Sequence, residues 1–217
     1  MNRLRELPPI AFAIAGGVGL YIIHRILKGK SGTLTITVPA TTANLACGFD
    51  AFGAAFEFRM IIQSQLAPPS QKETKFRYEG EGADEVAKGE SNLVWQSALA
   101  CIKMHAPDRK MPKLNVVVKV LISNFLSYDL HQGVALILST QNPVPFGRGL
   151  GSSATAIAAG VVLASEYLDL RLSHAQLLDA ALQMENHPDN LAAALWGGAV
   201  ASGVTEAGRC VAGDAET

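Results

Sequence analysis

The amino-acid sequence predicts an α+β fold, because predicted strands and helices alternate irregularly along it without an internal repeat. Hydrophobic residues make up 49% of the 217 residues and charged residues 17%, a composition that excludes intrinsic disorder. The formal net charge is -1, which argues against a global basic field for nucleic acid. The three cysteines lie far apart, so neither a disulfide framework nor a zinc knuckle is indicated.

The first 32 residues differ from the rest, and we predict an apolar N-terminal extension before a domain that spans residues 33–217. Residues 8–23 carry no charge, although this stretch is slightly shorter than the ~17–25 residues of a membrane helix. One interpretation is a single membrane anchor over residues 8–27, with the following domain on the cytoplasmic side because Arg25, Lys28 and Lys30 follow its uncharged core. A targeting segment, a buried helix and a mispredicted first exon are the alternatives.

Hydrophobic periodicity and capping residues predict the elements of the domain. Predicted strands cover residues 33–38, the later half of 51–62, 75–78 and 114–122. Predicted helices cover residues 92–105, 152–168, 173–185 and 189–196. Pro39 is expected to lead the first strand out of its sheet. The buried stripe of the first helix is predicted to contain Val94, Ala98, Leu99 and Ile102.

The segment 144–155, VPFGRGLGSSAT, is the most informative part of the sequence. Its three glycines remove side chains where the backbone must bend or approach another group, and it leads directly into an Ala-rich helix. Ser152 and Ser153 place hydroxyl and amide groups at the start of that helix, where the dipole favours an anion. The segment therefore predicts a phosphate site, with an ordinary serine-capped glycine turn as the alternative.

The segment is less consistent with two other known types of phosphate-binding loop. The P-loop pattern GxxxxGK[ST] is absent from the sequence. The dinucleotide pattern GxGxxA occurs at residues 149–154, with Asp169 at the expected distance. That pattern requires a strand that runs straight into its first glycine, and Pro143 and Pro145 interrupt such a strand.

Three segments resemble motifs of the GHMP kinases, the family of galactokinase and of the homoserine, mevalonate and phosphomevalonate kinases. Residues 144–155 are similar to the phosphate-binding motif of the family, and residues 38–50 and 187–198 are similar to two motifs of its homoserine kinases. The short spacing from Glu185 to His187 resembles the fungal type. The resemblance implies the N-terminal domain of a GHMP kinase, with the fold of the second domain of ribosomal protein S5.

The resemblance also implies ATP and Mg²⁺ as cofactors and a role for particular residues. Asn44, Asp50, His187 and Asn190 would bind the substrate homoserine. Asn190 and Ser152 would act in catalysis, by positioning and charge stabilisation without a strong base. Ser152, Ser153 and Glu185 would complete a magnesium site. The residues that would wrap the ATP phosphates are Pro145, Phe146, Gly147, Arg148, Gly149, Leu150, Gly151, Ser152 and Ser153.

Each of these residues also has a structural interpretation. Asp50 could close a turn, His187 could cap a helix, and Asn190 could serve as a helix N-terminal donor or acceptor. Glu185 carries the weakest assignment, because glutamates are common on helix surfaces. The joint occurrence of these residues with the glycine-serine segment favours the functional interpretation.

The implied activity is the ATP-dependent phosphorylation of L-homoserine to O-phospho-L-homoserine, a step of threonine biosynthesis, in the cytoplasm. The alternatives are a mevalonate-type small-molecule kinase and a non-catalytic nucleotide-binding or RNA-binding fragment. No nucleic-acid partner is expected, and a homodimer is left open.

The sequence departs from the family pattern at Ala46 and Cys47, which replace the usual Gly-Pro, and in two larger features. Residues 121–138 form an insertion that is either a hairpin or a translated intron. Members of the family continue into a second α+β domain that supplies substrate-binding arginines, and the sequence contains no match to that domain. The chain is therefore expected to lack the C-terminal domain and to show little or no activity alone.

Overall fold

The computed structural model describes residues 27–28, 33–45, 50–79, 86–121, 125–128, 135–138, 150–204 and 210–214. Within these ranges the chain forms strands and helices in irregular alternation, as predicted. The strands are β1 (Leu27–Lys28), β2 (Leu34–Ala43), β3 (Phe52–Leu66), β4 (Lys75–Glu79), β5 (Leu114–Leu121), β6 (Phe125–Tyr128), β7 (Ala135–Leu138), β8 (Ala199–Val204) and β9 (Cys210–Asp214). The helices are α1 (Leu93–His105), α2 (Ser152–Tyr167), α3 (His174–Ala181) and α4 (Pro188–Trp196).

Seven of these strands form one mixed sheet. Its main order is β1-β2-β3-β5-β4, and β8 pairs with both β3 and β9. The β4–β5 pair is parallel, with α1 as the connection between the two strands, and the other pairs of this sheet are antiparallel. This mixture of antiparallel strands and one helical crossover is an α+β architecture and confirms the predicted class.

The core lies between one face of the sheet and the helices. Alternate residues of the central strands are buried on that face, as expected for a sheet with one covered side. These residues are Leu34, Ile36 and Val38 of β2, Met60 and Ile62 of β3, and Leu114, Val116 and Val118 of β5. Because twelve of the sixteen residues of α2 are buried, this helix is surrounded by its neighbours rather than packed on one side.

The small residues of α2 allow α1 to approach it closely. A Cβ added at Gly160 would collide with the Val94 carbonyl oxygen and lie 2.8 Å from Ser97 Cβ. Cys101 of α1 is fully buried, and burial raises the pKa of its thiol to about 11. The contact between α1 and α2 therefore depends on a missing side chain and holds α2 firmly within the core.

Several details of the predicted elements are wrong, and packing explains three of them. β2 continues through Pro39 to Ala43, because the sheet shifts register between Pro39 and Thr41 and no described strand pairs with β2 on the outer side there. Leu99 is 39% exposed, since the buried stripe of α1 runs instead through Trp95 and Cys101. α3 ends at Ala181, four residues early, in a turn whose hydrogen bonds link residues three apart.

The 121–138 segment contains two strands that pair away from the main sheet. β6 and β7 are antiparallel, with Phe125 opposite Leu138 and Tyr128 opposite Ala135. This pairing agrees with the hairpin alternative. At the other end of the domain, β1 pairs with Leu34 and Thr35 of β2. The predicted anchor over residues 8–27 lies outside the described residues, apart from Leu27.

Candidate active site

The start of α2 is fixed against the end of β2. The Thr41 N–H group donates to the Leu150 carbonyl oxygen over 3.2 Å, just before the helix begins. One turn into the helix, the Thr155 hydroxyl donates to the Pro39 carbonyl oxygen over 3.1 Å. The continuation of β2 past Pro39, which the sequence analysis did not predict, is therefore what places the strand beside this helix end.

Gly151 is required at this junction for two reasons. Its φ of 62° lies in the left-handed region, where a side chain is strained. A Cβ at this position would also collide with Thr41 Oγ1 and lie 3.1 Å from Asn190 Oδ1. The last glycine of the glycine-serine segment thus lets α2 start in contact with both β2 and α4.

Among the described residues, no side chain caps the start of α2, a feature that suits an external anion. Gly151 is the N-cap and provides no side-chain hydrogen bond, and the first turn holds no acidic residue. In contrast, Asn92 caps α1 and Ser173 caps α3 through their side chains. Ser152 is partly buried and Ser153 is exposed. Amide groups and hydroxyls at the positive end of a helix suit a phosphate group.

The start of α4 lies at the same junction of β2 and α2. His187 is its N-cap and Pro188 occupies its first turn. The Thr41 hydroxyl donates to Asn190 Oδ1 over 2.8 Å, which brings Asn190 to the β2–α2 junction. Asp189 is 2% exposed and accepts the Asn190 N–H group at 2.6 Å, with its charge at the favourable end of the helix.

Gly53 of β3 allows the backbone of α4 to pack closely against the sheet. A Cβ at Gly53 would collide with the Asp189 carbonyl oxygen and lie 3.1 Å from Ala193 Cβ. The backbone of α4 therefore rests directly on β3. This close approach fixes the distance between α4 and β3 and so helps to place Asn190 at the β2–α2 junction.

Asn44 and Asp50 form a second group. The Asp50 N–H group donates to Asn44 Oδ1 over 3.0 Å, and the Asn44 N–H group donates to the Phe52 carbonyl oxygen over 3.0 Å. Both residues have a positive φ, of 69° and 55°. Asn44 is exposed and closes the loop between β2 and β3, and its side-chain Oδ1 is occupied by the hydrogen bond within that loop.

Glu185 and His187 form a third group. His187 Nδ1 lies 3.4 Å from Glu185 Oε1, and the two side chains are 57% and 37% exposed. The pair precedes α4 directly. Its placement leaves both polar groups accessible to a ligand at the helix start.

The structure thus links Asn190 to the start of α2, Asn44 to Asp50, and Glu185 to His187. Five predicted phosphate-loop residues lie outside the described residues, and these are Pro145, Phe146, Gly147, Arg148 and Gly149. Sequence reasoning missed Thr41 and Asp189. Thr41 could have been found as a polar residue at a strand end, within the same short motif as Asn44.

Within the described ranges, no three side chains of the His, Cys, Asp and Glu types come together as metal ligands. Among the helices of those ranges, none has the length and apolar character needed to cross a membrane.

The fold and the junction of three motifs define the N-terminal domain of the GHMP kinases. Residues 115–198 match the model of the family described as GHMP kinases N terminal domain. This part of the chain is a GHMP kinase N-terminal domain, and the resemblance identified from the motifs is confirmed.

Within this family the chain is similar to homoserine kinases. It is 38% identical to homoserine kinase from Carboxydothermus hydrogenoformans over 168 residues, covering 77% of this chain and 46% of that protein. It is 35% identical to homoserine kinase from Candida albicans over 176 residues, covering 79% of this chain and 43% of that protein.

A solved structure shows the same fold. The crystal structure of homoserine kinase from Cytophaga hutchinsonii aligns with a TM-score of 0.61 at 22% identity, covering 85% of this chain and 53% of that one. The chain spans about half the length of the curated relatives it matches.

Proposed function

We propose that this chain takes part in the ATP-dependent phosphorylation of the L-homoserine hydroxyl, which gives O-phospho-L-homoserine for threonine biosynthesis. The contact of Thr41, Gly151 and Asn190 carries the proposal, because it joins all three motifs at one helix start. Identities of 33–38% to curated homoserine kinases favour homoserine over mevalonate as the acceptor.

The start of α2 would hold the ATP phosphates. Its backbone amides face no described side-chain cap, and Ser152 and Ser153 add hydroxyl donors beside them. Phosphoryl transfer needs mainly in-line placement and neutralised oxygens, so a rigid helix start is suited to this task. The resemblance extends the phosphate site to residues 145–149.

Magnesium would be held by Ser152 or Ser153 together with Glu185. These residues offer hydroxyl and carboxylate oxygens, the hard donors that Mg²⁺ prefers, and Glu185 is partly exposed. Mg²⁺ is usually bound by few protein oxygens in addition to phosphate oxygens and water. When bound, the ion would neutralise charge that develops on the transferred group.

Homoserine would be bound by Asn44, Asp50, His187 and Asn190. The Asp50 carboxylate suits the substrate ammonium group. The Asn190 amide and the half-exposed His187 ring suit its hydroxyl and other polar atoms. Because Asn44 Oδ1 accepts the Asp50 N–H group, the side-chain amide nitrogen of Asn44 is the part of that side chain that would face the substrate.

A binding experiment tests the nucleotide site directly. We expect Mg-ATP to bind the purified full chain in a calorimetric titration. Replacing Ser152 and Ser153 with Ala should weaken binding by about tenfold, because two hydroxyl donors to charged oxygens are lost. Ser70→Ala is the matched control, since Ser70 is an exposed serine in the loop before β4. Equal binding by the double variant would contradict the assigned site.

A second experiment separates the alternatives. ADP release is measured with homoserine and with mevalonate, and homoserine should be the better acceptor. A salt-dependent RNA mobility shift without any nucleotide binding would instead favour an RNA-binding module. A cytoplasmic location, a homodimer and the membrane anchor over residues 8–27 remain predictions, and fractionation of cells that express the full chain tests the first and third.

A further inference from the structure

The Asn190 side chain is held by two neighbours. The Thr41 hydroxyl donates to Asn190 Oδ1 over 2.8 Å. On the other side, Asn190 Nδ2 lies 3.5 Å from Asp189 Oδ1, which also accepts the Asn190 N–H group. The carboxamide is therefore contacted at both of its polar ends.

These contacts define which way the carboxamide faces. Asp189 Oδ1 already accepts the Asn190 backbone N–H group, so the amide nitrogen of Asn190 is the atom that suits this acceptor. A flipped carboxamide would place two acceptor oxygens against each other. The amide oxygen then faces Thr41, whose hydroxyl can donate to it.

Thr41 is itself rigid. Its side chain is fully buried, and its N–H group donates to the Leu150 carbonyl oxygen. Gly151 lies so close to Thr41 that a Cβ there would collide with Oγ1. Thr41, near the end of β2, thus contacts both the start of α2 and the Asn190 side chain.

We propose that Thr41 is a positioning residue that fixes the Asn190 carboxamide relative to the phosphate-binding start of α2. Thr41 does not touch the substrate in this role, and it acts through Asn190. The inference rests on the proposed function in so far as Asn190 faces the acceptor hydroxyl. The hydrogen bond to Leu150 involves only the backbone, so removing the hydroxyl should leave the start of α2 in place.

The kinetic test uses Thr41→Val, which keeps the shape and removes the hydroxyl, and Thr41→Ser, which keeps the hydroxyl. We expect Thr41→Val to lower kcat/KM for homoserine by about tenfold while the Kd of Mg-ATP changes less than about twofold. Thr41→Ser should restore most of the rate. Thr42→Val is the matched control, because Thr42 is the adjacent residue on the other face of β2, and it should behave like the wild type.

A double-mutant cycle with Asn190→Ala distinguishes positioning from a general structural role. If Thr41 acts through Asn190, Thr41→Val should have almost no further effect on kcat/KM when Asn190 is already Ala. A structural role would lower the rate equally in both backgrounds. Additive effects, or a wild-type rate in Thr41→Val, would overturn the proposal.

A spectroscopic test does not require activity. The side-chain amide resonances of Asn190 in a ¹⁵N-labelled full chain are assigned by their loss in Asn190→Ala. Thr41→Val should shift this pair and speed its solvent exchange, whereas Thr41→Ser and Thr42→Val should not. If this response is present, the positioning role stands whether or not the wild type turns over homoserine, whereas a wild type that does not bind Mg-ATP would contradict the proposed function. If the pair does not respond, the positioning role is wrong whatever the activity.

Discussion

Gly160→Ala tests how tightly α2 is held, and we expect it to destabilise the protein. In an exposed helix this change stabilises by about 1 kcal/mol, because alanine has the higher helix propensity. Here the new Cβ would collide with the Val94 carbonyl oxygen, lie 2.8 Å from Ser97 Cβ and lie 3.1 Å from the Val94 carbonyl carbon. The obstacle is backbone, so α1 and α2 must separate.

The cost of such overpacking is about 1–3 kcal/mol and lies at the upper end when backbone must move. After the gain in propensity, the free energy of unfolding should fall by about 1–2 kcal/mol. In urea unfolding followed by circular dichroism, the midpoint should drop by about 0.5–1 M with an unchanged slope.

Gly89→Ala is the matched control for this experiment. Gly89 lies just before α1, and a Cβ there would meet nothing within 4 Å. Its unfolding free energy should change by less than about 0.5 kcal/mol. If Gly160→Ala were as stable as the wild type, the helices could separate freely, and the argument that α2 is fixed by this contact would be refuted.

Two further predictions concern the same helix pair. Asn92→Ala should lower the unfolding free energy by about 2–3 kcal/mol in the same assay. The buried Asn92 caps α1 by accepting the Val94 N–H group, and its amide nitrogen donates to Tyr78 Oη and to the Ala87 carbonyl oxygen. Burial raises the pKa of Cys101 from 9.0 to about 11, so as the pH rises the thiol ionises in the unfolded chain before it does in the folded one. The free energy of unfolding should therefore fall by roughly 2–3 kcal/mol between about pH 9 and pH 11. Urea midpoints across this range should fall less steeply in Cys101→Ala, and an equal slope would contradict the assignment to this thiol.

Local patterns in the sequence determined much of the fold. The Ser173 capping box and the two glycines after Trp196 mark helix ends that the structure reproduces. These signals act within a few residues, so the sequence contains the whole cause. The strands β4 and β5 were also predicted, because their residues alternate or are β-branched over the observed lengths.

The predicted site was determined in part by motif resemblance. That resemblance selected Asn190 and Gly151 from distant parts of the chain, and the structure joins them at the start of α2. It did not assign Thr41 or Asp189. Their importance arises from contacts across 149 residues of sequence in one case and from burial in the other.

Only the tertiary structure decided how far β2 continues and which side chain lies beside which. Proline in isolation disfavours a strand, but a register shift and an unpaired outer side let β2 pass through Pro39 to Thr41. The sequence by itself determined the class of fold and most of the helix ends, because these depend on local conformation. The hydrogen bond from Thr41 to Asn190 depends on how two helices and a strand pack together, and local sequence does not contain that information.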